Sequence, residues 1–540
     1  MKSDREKAIS YIEEGHALLR KYGLYGNSDE VHLFAVDRAL ANFTERGGFD
    51  RAAEAAAALQ ALYEAKRLVT ARSSIEGRRI ILGDWFISLA VRLALPLKKA
   101  GLADLVSEEL CRIGADANKP SLRVSKKSFC TTIDRFTEKL LTDTDEGDSE
   151  PLCPPALPIE PDQSHISLLF PASGNLLLAA IGAGYFKFAA AETRSALSRM
   201  ELWFRSRYAG ENANEMDGWI YGAISSGGKR MRPMLVRLCA GLGADDNAYG
   251  QGIDLPAVIN IMSTIELMHS ASLVHDDIVD RSPMRRSRAT INAEKGDGYA
   301  AMCGFRMIAD ALRLIGAGAS DRLVAALAAI PMQMCGGELQ QLDLENKPEL
   351  QSEDEYYRRI ACKTAALIEG SCVCGAMAGG ADEQTIRALA GYGHALGLLF
   401  QMRDDLLDYG IPETSGKPVS QDMERGLYSL PLLYARETLS ESDPDEYEIL
   451  DSALRKHIKA PADLRYLKHI AESSGGIDHT RKAIEKQAES AFSSLALLPR
   501  GPWTEALASI VSALTDTYEI LTDVRESNAI EVNHDGQRNA

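Results

Sequence analysis

Aromatic side chains are scarce in this sequence, at 6% of 540 residues, and no series of short Val/Ile-rich segments joined by hairpin signals is present. Set against frequent alanine, that deficit argues for helix over sheet. Positive charge is also in deficit: 60 Lys and Arg stand against 77 Asp and Glu, a net charge of −17. Such a balance excludes nucleic acid as a main partner and disfavours docking on anionic lipid. The nine cysteines show neither zinc-ligand spacing nor a disulfide framework, which fits a reducing compartment. The opening residues, MKSDREKAISYIEEG, hold no apolar signal segment. The longest apolar run, Leu176 to Phe186, is broken by glycines and is too short to span a bilayer. The expectation is a cytoplasmic protein with no transmembrane segment.

What is present divides into parts. Residues 1–140 read as helical, for example RAAEAAAALQALYEAKRLV at 51–69, with apolar positions three and four apart. Residues 141–164 are acidic and then proline-rich, with Pro151, Pro154, Pro155, Pro158 and Pro161, a composition that forbids helix and sheet and makes a semi-extended linker. Residues 165–525 form a second helical region, with long helices expected over 256–275, 300–316, 355–378, 384–408 and 503–524. Residues 526–540 are a polar tail. The fold class is all-α, with an additional N-terminal all-α domain.

Two matching acidic motifs stand out within the second region. HSASLVHDDIVD contains Asp276, Asp277 and Asp280, and LLFQMRDDLLDY contains Asp404, Asp405 and Asp408. Each follows a long apolar helical stretch. Aspartates at i and i+4 share a helix face, with i+1 at its shoulder, and their repulsion makes them a poor choice for stability. They make sense if a hard cation collects there: magnesium takes oxygen ligands, keeps several waters and bridges one or two carboxylates to a substrate phosphate. One such motif is commonly a solvated helix end; two, each closing an apolar helix, suggest metal held between bundle helices around one diphosphate.

Candidate diphosphate-binding cations flank these motifs. SSGGKRMRP offers Lys229, Arg230 and Arg232 behind two glycines that let the backbone approach a ligand. SPMRRSRATIN offers Arg285, Arg286 and Arg288, which would serve equally as a surface ion-pair network with the nearby aspartates. Lys363 with Thr364, and Lys417, add further donors, and His269 lies two turns before Asp276. Carboxylates, cations and a deep apolar helical wall together suit a substrate with a diphosphate head and a hydrocarbon tail.

At this point the sequence resembles the trans-isoprenyl diphosphate synthases, or polyprenyl synthetases. The resemblance rests on GGKRMRP, HSASLVHDDIVD, RRSRATIN, GELQQL, CKTAAL, LGLLFQMRDDLLDY, GKPVSQDMERG and SLPLLYA in that order, and covers about 165–525. It implies an isoprenoid-synthase-type helical bundle around a deep cavity, a homodimer, and condensation of isopentenyl diphosphate with an allylic diphosphate such as farnesyl or geranylgeranyl diphosphate. By the same resemblance Asp276, Asp277, Asp280, Asp404, Asp405 and Asp408 bind two or three Mg²⁺ ions. Lys229, Arg232, His269 and Arg286 hold isopentenyl diphosphate. Arg285, Lys363, Thr364, Gln401 and Lys417 hold the allylic diphosphate, with Lys363 also counted among the catalytic residues. Three departures are visible: RRGxPT reads RRSRAT, with Ser287 and Ala289; the usual Gly-Asp after the first motif reads Gly304-Phe305; and the lysine of DLREGKxTLP is Leu427. None removes a metal ligand. A terpene cyclase of the same ancestry is disfavoured by the full second motif, while a short-chain synthase making a C15–C20 product or a non-catalytic scaffold subunit stays as an alternative.

In the family, a bulky aromatic about five residues before the first motif closes the cavity. Here that position is Ala271, followed by Ser272, with Met268 one turn deeper. A helix turn of about 5.4 Å approximates one isoprene unit, so small residues imply a longer product, of about C25 to C50, unless another helix supplies the floor. The N-terminal stretch EGRRIILGDWFISLAVRLALP (76–96) resembles the Gly-Asp helix of the same family through Arg78, Arg79, Gly83, Asp84 and Trp85, without any DDxxD. It is similar to the non-catalytic small subunit of heptaprenyl diphosphate synthases, in which case it packs on the catalytic part and helps enclose the tail; a generic amphipathic helical domain reads the same way. Replacing Ala271 with Tyr or Phe should shorten the product by about one isoprene unit or more. Chromatography of the dephosphorylated alcohols measures this, and an unchanged length refutes the placement.

Overall fold

Apolar spacing of three and four residues turns nearly every described segment into a helix, and helices with one apolar face must bury it against another. The computed structural model describes residues 4–22, 24, 33–45, 51–69, 77–94, 97, 102–117, 126–142, 187–243, 255–286, 288–315, 319–409 and 421–515. The linker beyond Thr142, the run from Leu176 to Phe186, Ser287, Lys417 and the 526–540 tail lie outside them.

The N-terminal region comprises α1 (Asp4–Lys21), α2 (Phe34–Glu45), α3 (Ala52–Val69), α4 (Gly77–Ala94), α5 (Leu102–Ala117) and α6 (Lys126–Thr142). The second region continues with α7 (Lys187–Ala209), α8 (Glu215–Ser225), α9 (Met231–Ala240) and α10 (Leu255–Val279). A two-stranded ribbon, Met284–Arg285 against Arg288–Ala289, follows, the one strand pair among the described residues. Then come α11 (Ile291–Lys295), α12 (Asp297–Ile315), α13 (Asp321–Leu344), α14 (Glu353–Ile360), a π-helical turn (Ala361–Ala365) and α15 (Ala366–Ala378). The last group is α16 (Glu383–Leu407), α17 (Gln421–Glu424), α18 (Leu430–Ser442), α19 (Pro444–Leu454), α20 (Pro461–Ser473), α21 (Gly476–Leu495) and a final helix over 502–515.

Helix starts are chemically marked. Asp382 caps α16 by accepting from the Thr385 amide, Ser320 and Ser352 cap α13 and α14, and Asn214 with Asp217 forms a reciprocal capping box on α8. The helix expected over 355–378 is instead two helices joined by the π turn carrying Lys363 and Thr364. That extra residue per turn is a tertiary feature with no propensity signal.

α10 is apolar all round because it is packed all round, by α9, α12, α15 and α7. By length and composition it could cross a bilayer, as could 353–378, although the sequence shows no equally long uninterrupted apolar run; 72% and 56% of their apolar windows are buried inside the protein. The N-terminal helices are not a separate body: α5 lies on α12 and α4 lies on α13 and α10. Asp343 of α13 accepts from Lys21 Nζ at 2.7 Å and from Tyr22 at 2.9 Å, and Ser107 of α5 donates to the Ala309 carbonyl of α12 at 3.1 Å.

Within the N-terminal region His16 of α1 is buried against α4, near the Phe86 ring. Burial pushes its imidazole down to about 4, with Arg20 and Arg67 adding to the shift. The unfolded chain therefore takes up a proton below pH 6.5 that the folded one refuses, and stability is lost as pH falls from there towards 4. His16→Gln should reduce the stability lost between pH 7 and pH 5 by about 2 kcal/mol, measured by urea unfolding of both proteins at each pH.

Candidate active site

The two acidic motifs end two long helices with largely buried apolar faces, α10 and α16, and both face the π turn. Asp276 lines a cavity of about 160 Å³ together with Arg232, His269, Ser272, Leu273, Lys363, Thr364 and Leu367. Lys363 donates to Glu338 at 2.6 Å and to Gln341 at 2.8 Å, both on α13. Its neighbour Thr364 donates to Gln401 Oε1 at 2.6 Å, and Gln401 donates to Asp405 Oδ1 at 2.7 Å. Lys363 and Thr364 thus connect the first acidic motif to the second. Tyr356 donates to the other Asp405 oxygen at 2.7 Å. Asp404 and Asp408 are half-buried beside it.

The remaining carboxylates of the first motif hold cations. Asp277 accepts from Arg285 Nε at 2.8 Å, and Asp280 accepts from Arg425, whose other nitrogen reaches Glu345. Arg285 and Arg286 line a second cavity of about 270 Å³ with Trp219, Ser270, Val274 and Asp277. Arg286 also donates to the Gly227 carbonyl. Both Arg230 (φ 49°) and Arg286 (φ 50°) adopt the left-handed region, a local strain concentrated at this rim. Gly228, at φ 134°, makes the turn that brings Lys229, half-buried, to the same rim.

Arg230 is structural: it is buried between Glu201 at 2.5 Å and Glu266 at 2.6 Å, which raise its pKa despite the opposing effect of burial. Arg232 has no such partner. Burial pushes it down to about 10, and its Nη1 lies 3.2 Å from His269 Nε2. A guanidinium can only donate, so His269 Nε2 accepts and the proton resides on Nδ1. Burial and the neighbouring Arg232 and Arg286 hold the His269 pKa well below its usual value, so the ring is neutral.

The carboxylates are strained electrostatically. Burial, then Glu338, pushes Asp276 up to about 7, and burial with Asp422 takes Asp405 to about 7. Asp277 and Asp280 are also raised by burial, against Arg285 and Arg425. An oxygen-only donor set whose charged form is disfavoured is one that a divalent cation would complete. Among the described residues no three acidic or imidazole groups converge on one point.

Sequence reasoning named the carboxylates and cations but missed their supports. Glu338 and Gln341 sit in the quoted GELQQL motif and Arg425 in GKPVSQDMERG, whereas Tyr356 carries no sequence signal beyond a polar helix. Of the chain-length candidates, Ser272 lines the first cavity, on the face shared by His269, Leu273 and Asp276, while Ala271 and Met268 are buried beside it. A bulky residue at 272 meets the cavity directly; one at 271 must first displace its packing. Phe305 and Leu427 are both buried. Phe305 packs edge-on against His275, ring centroids 5.0 Å apart.

A helical bundle in which two acidic motifs are linked through one turn defines a class, and comparison with known proteins agrees. A sequence model of the polyprenyl synthetase family matches residues 215–471. The octaprenyl diphosphate synthase of Escherichia coli is 32% identical over 296 residues, covering 54% of this chain and 86% of that one. Heptaprenyl diphosphate synthase component 2 of Geobacillus stearothermophilus is 38% identical over 213 residues, 39% of this chain and 64% of that one. Among solved structures, a decaprenyl diphosphate synthase from Rhodobacter capsulatus superposes with a TM-score of 0.55 at 29% identity, over 61% of this chain and 98% of its own. A Caulobacter crescentus polyprenyl synthase complexed with calcium and isoprenyl diphosphate gives the same score and identity, over 62% of this chain and 98% of its own. The chain belongs to the polyprenyl synthetase family.

Asp276, like Asp405, is an uncomfortable carboxylate. Its raised pKa means that its charge destabilises the folded protein above about pH 7, and that this cost fades as the group takes up its proton on acidification. Asp276→Asn should therefore stabilise the metal-free protein by about 1–3 kcal/mol at pH 8 and by much less at pH 5, measured by urea unfolding in EDTA.

Proposed function

We propose that this chain is a cytoplasmic, magnesium-dependent polyprenyl diphosphate synthase that extends farnesyl or geranylgeranyl diphosphate with isopentenyl diphosphate to an all-trans product of the C25–C50 class. The observation that carries the reading is the linkage Asp276–Lys363–Thr364–Gln401–Asp405, which joins both acidic motifs through a half-buried ammonium beside a cavity that Asp276, Lys363 and Thr364 line. The acidic composition and scattered cysteines support a reducing compartment. Relatives named for octaprenyl, heptaprenyl and nonaprenyl diphosphate support a long product, as does the small Ser272 side chain in the cavity wall.

Asp276, Asp277, Asp280, Asp404, Asp405 and Asp408 would hold the ions. Bound magnesium supplies Lewis-acid neutralisation of the allylic diphosphate, making it a leaving group. Lys363 is kept charged by Glu338 and Asp276 although burial opposes it, and stabilises the negative charge that grows on the departing pyrophosphate. Arg285 and Thr364 orient the same group, with Lys417 as a further ligand. Arg232, the Nδ1–H of neutral His269, Lys229 and Arg286 hold isopentenyl diphosphate with its double bond toward the allylic carbon. The allylic C–O bond breaks, the double bond attacks the cation, one C–C bond forms, and a proton leaves to the pyrophosphate. Apolar walls exclude the water that would quench the cation. The word component in the name of the Geobacillus relative fits an enzyme completed by a companion chain, and the packing of α4 and α5 on the second region supports giving that part to residues 4–142 here.

Incubation with Mg²⁺, isopentenyl diphosphate and farnesyl diphosphate should give a linear, longer prenyl diphosphate, identified by chromatography and mass spectrometry. EDTA should abolish turnover and Mg²⁺ restore it, and Asp405→Asn should lower kcat by about 10²–10³-fold. A cyclic hydrocarbon would make the protein a cyclase, and no turnover by well-folded protein a scaffold.

A further inference from the structure

The first cavity is not made by the catalytic region alone. Ile81 and Asp84, one turn apart on α4 of the N-terminal region, line it beside Ser272, Val279, Met334 and Cys335. Gly77 starts α4 against Val279, where an added Cβ would lie 3.2 Å from that side chain. Asp84 Oδ2 accepts from His275 Nδ1 at 2.6 Å, and its charge holds the buried imidazole above its usual pKa against the effect of burial.

His275 also bears on one departure from the family pattern. Its other face lies on Gly304, where a Cβ would come within 2.1 Å of Nε2, and its ring meets Phe305. The catalytic region thus carries Gly-Phe at the position of the expected Gly-Asp, while the N-terminal region has kept Gly83-Asp84 and delivers the carboxylate to the catalytic histidine-aspartate helix from outside. The anchors at Asp343 and Ala309 fix α1 and α5 on α13 and α12, and Arg78 of α4 lies 3.6 Å from Asp343, so this carboxylate and Ile81 are held in register.

We infer that residues 4–142 act as a partner subunit fused in cis, and that Ile81 of α4 is a wall of the prenyl cavity that limits product length. The ligand it meets is the hydrocarbon tail of the growing product, so the inference rests on the proposed prenyl transfer. Asp84 is the positioning residue that sets α4 against α10. The wall that meets the tail is then shared between Ser272 on the catalytic helix and Ile81 on the fused one.

The test uses the full-length protein. Ile81→Val, which removes one methylene and keeps the fold, should shift the product distribution to longer chains, and Ile81→Phe should shift it to shorter ones by at least one isoprene unit. Thermal unfolding with unreactive prenyl thiodiphosphates of increasing length gives a reading independent of turnover. In Ile81→Phe the longest analogues should lose their stabilising shift while the shortest keep it. Unchanged product lengths and unchanged analogue preference in both variants, from a wild type that makes a long linear product, would overturn this inference and leave the activity standing. A wild type that makes no prenyl diphosphate would overturn both.

Discussion

The constraint on which the rest depends is the gathering of carboxylates at the C-terminal ends of two apolar helices. Asp280 follows the last residue of α10, and Asp408 is the C-cap of α16. Both therefore stand at the negative end of a helix dipole, where a carboxylate is disfavoured, and burial compounds the penalty. Nothing in folding alone recommends this. The surrounding structure is arranged to offset it: Arg285 on Asp277, Arg425 on Asp280, Tyr356 and Gln401 on Asp405, Lys363 beside Asp276. Even so Asp276 and Asp405 remain pushed to about 7, which leaves a standing attraction for divalent cations.

The offsetting groups come from distant stretches of chain, and this decides what could be read from sequence. The aspartate motifs and the GGKR turn are local patterns, and each was legible. The helix expected over 503–524 is described from 502 to 515, and α10 and α16 fall within a few residues of expectation. The π turn was not legible, because its widening answers to the packing of Lys363 against Glu338 and of Thr364 against Gln401, not to local propensity. The cavity face of α10 was only half legible. Counting back from Asp276 by i−4 and i−7 reaches Ser272 and His269, whereas the family rule of five residues reaches Ala271, which is turned by about 100°.

The N-terminal region shows the same division more sharply. Its resemblance to a Gly-Asp helix could be read from Gly83, Asp84 and Trp85, but the meaning of that pair depends on a residue almost two hundred positions away. Asp84 has its use only because His275 needs a carboxylate that Phe305 cannot supply. A buried imidazole with one nitrogen on a carboxylate is strongly oriented, and a helix held by such a contact cannot slide along its neighbour without leaving both groups unpaired. The register of α4 on α10 is therefore fixed by polar chemistry, while the apolar Ile81 one turn away does no more than fill space. That separation frees the wall residue to vary in size without loosening the interface, which is the property a length-setting position requires.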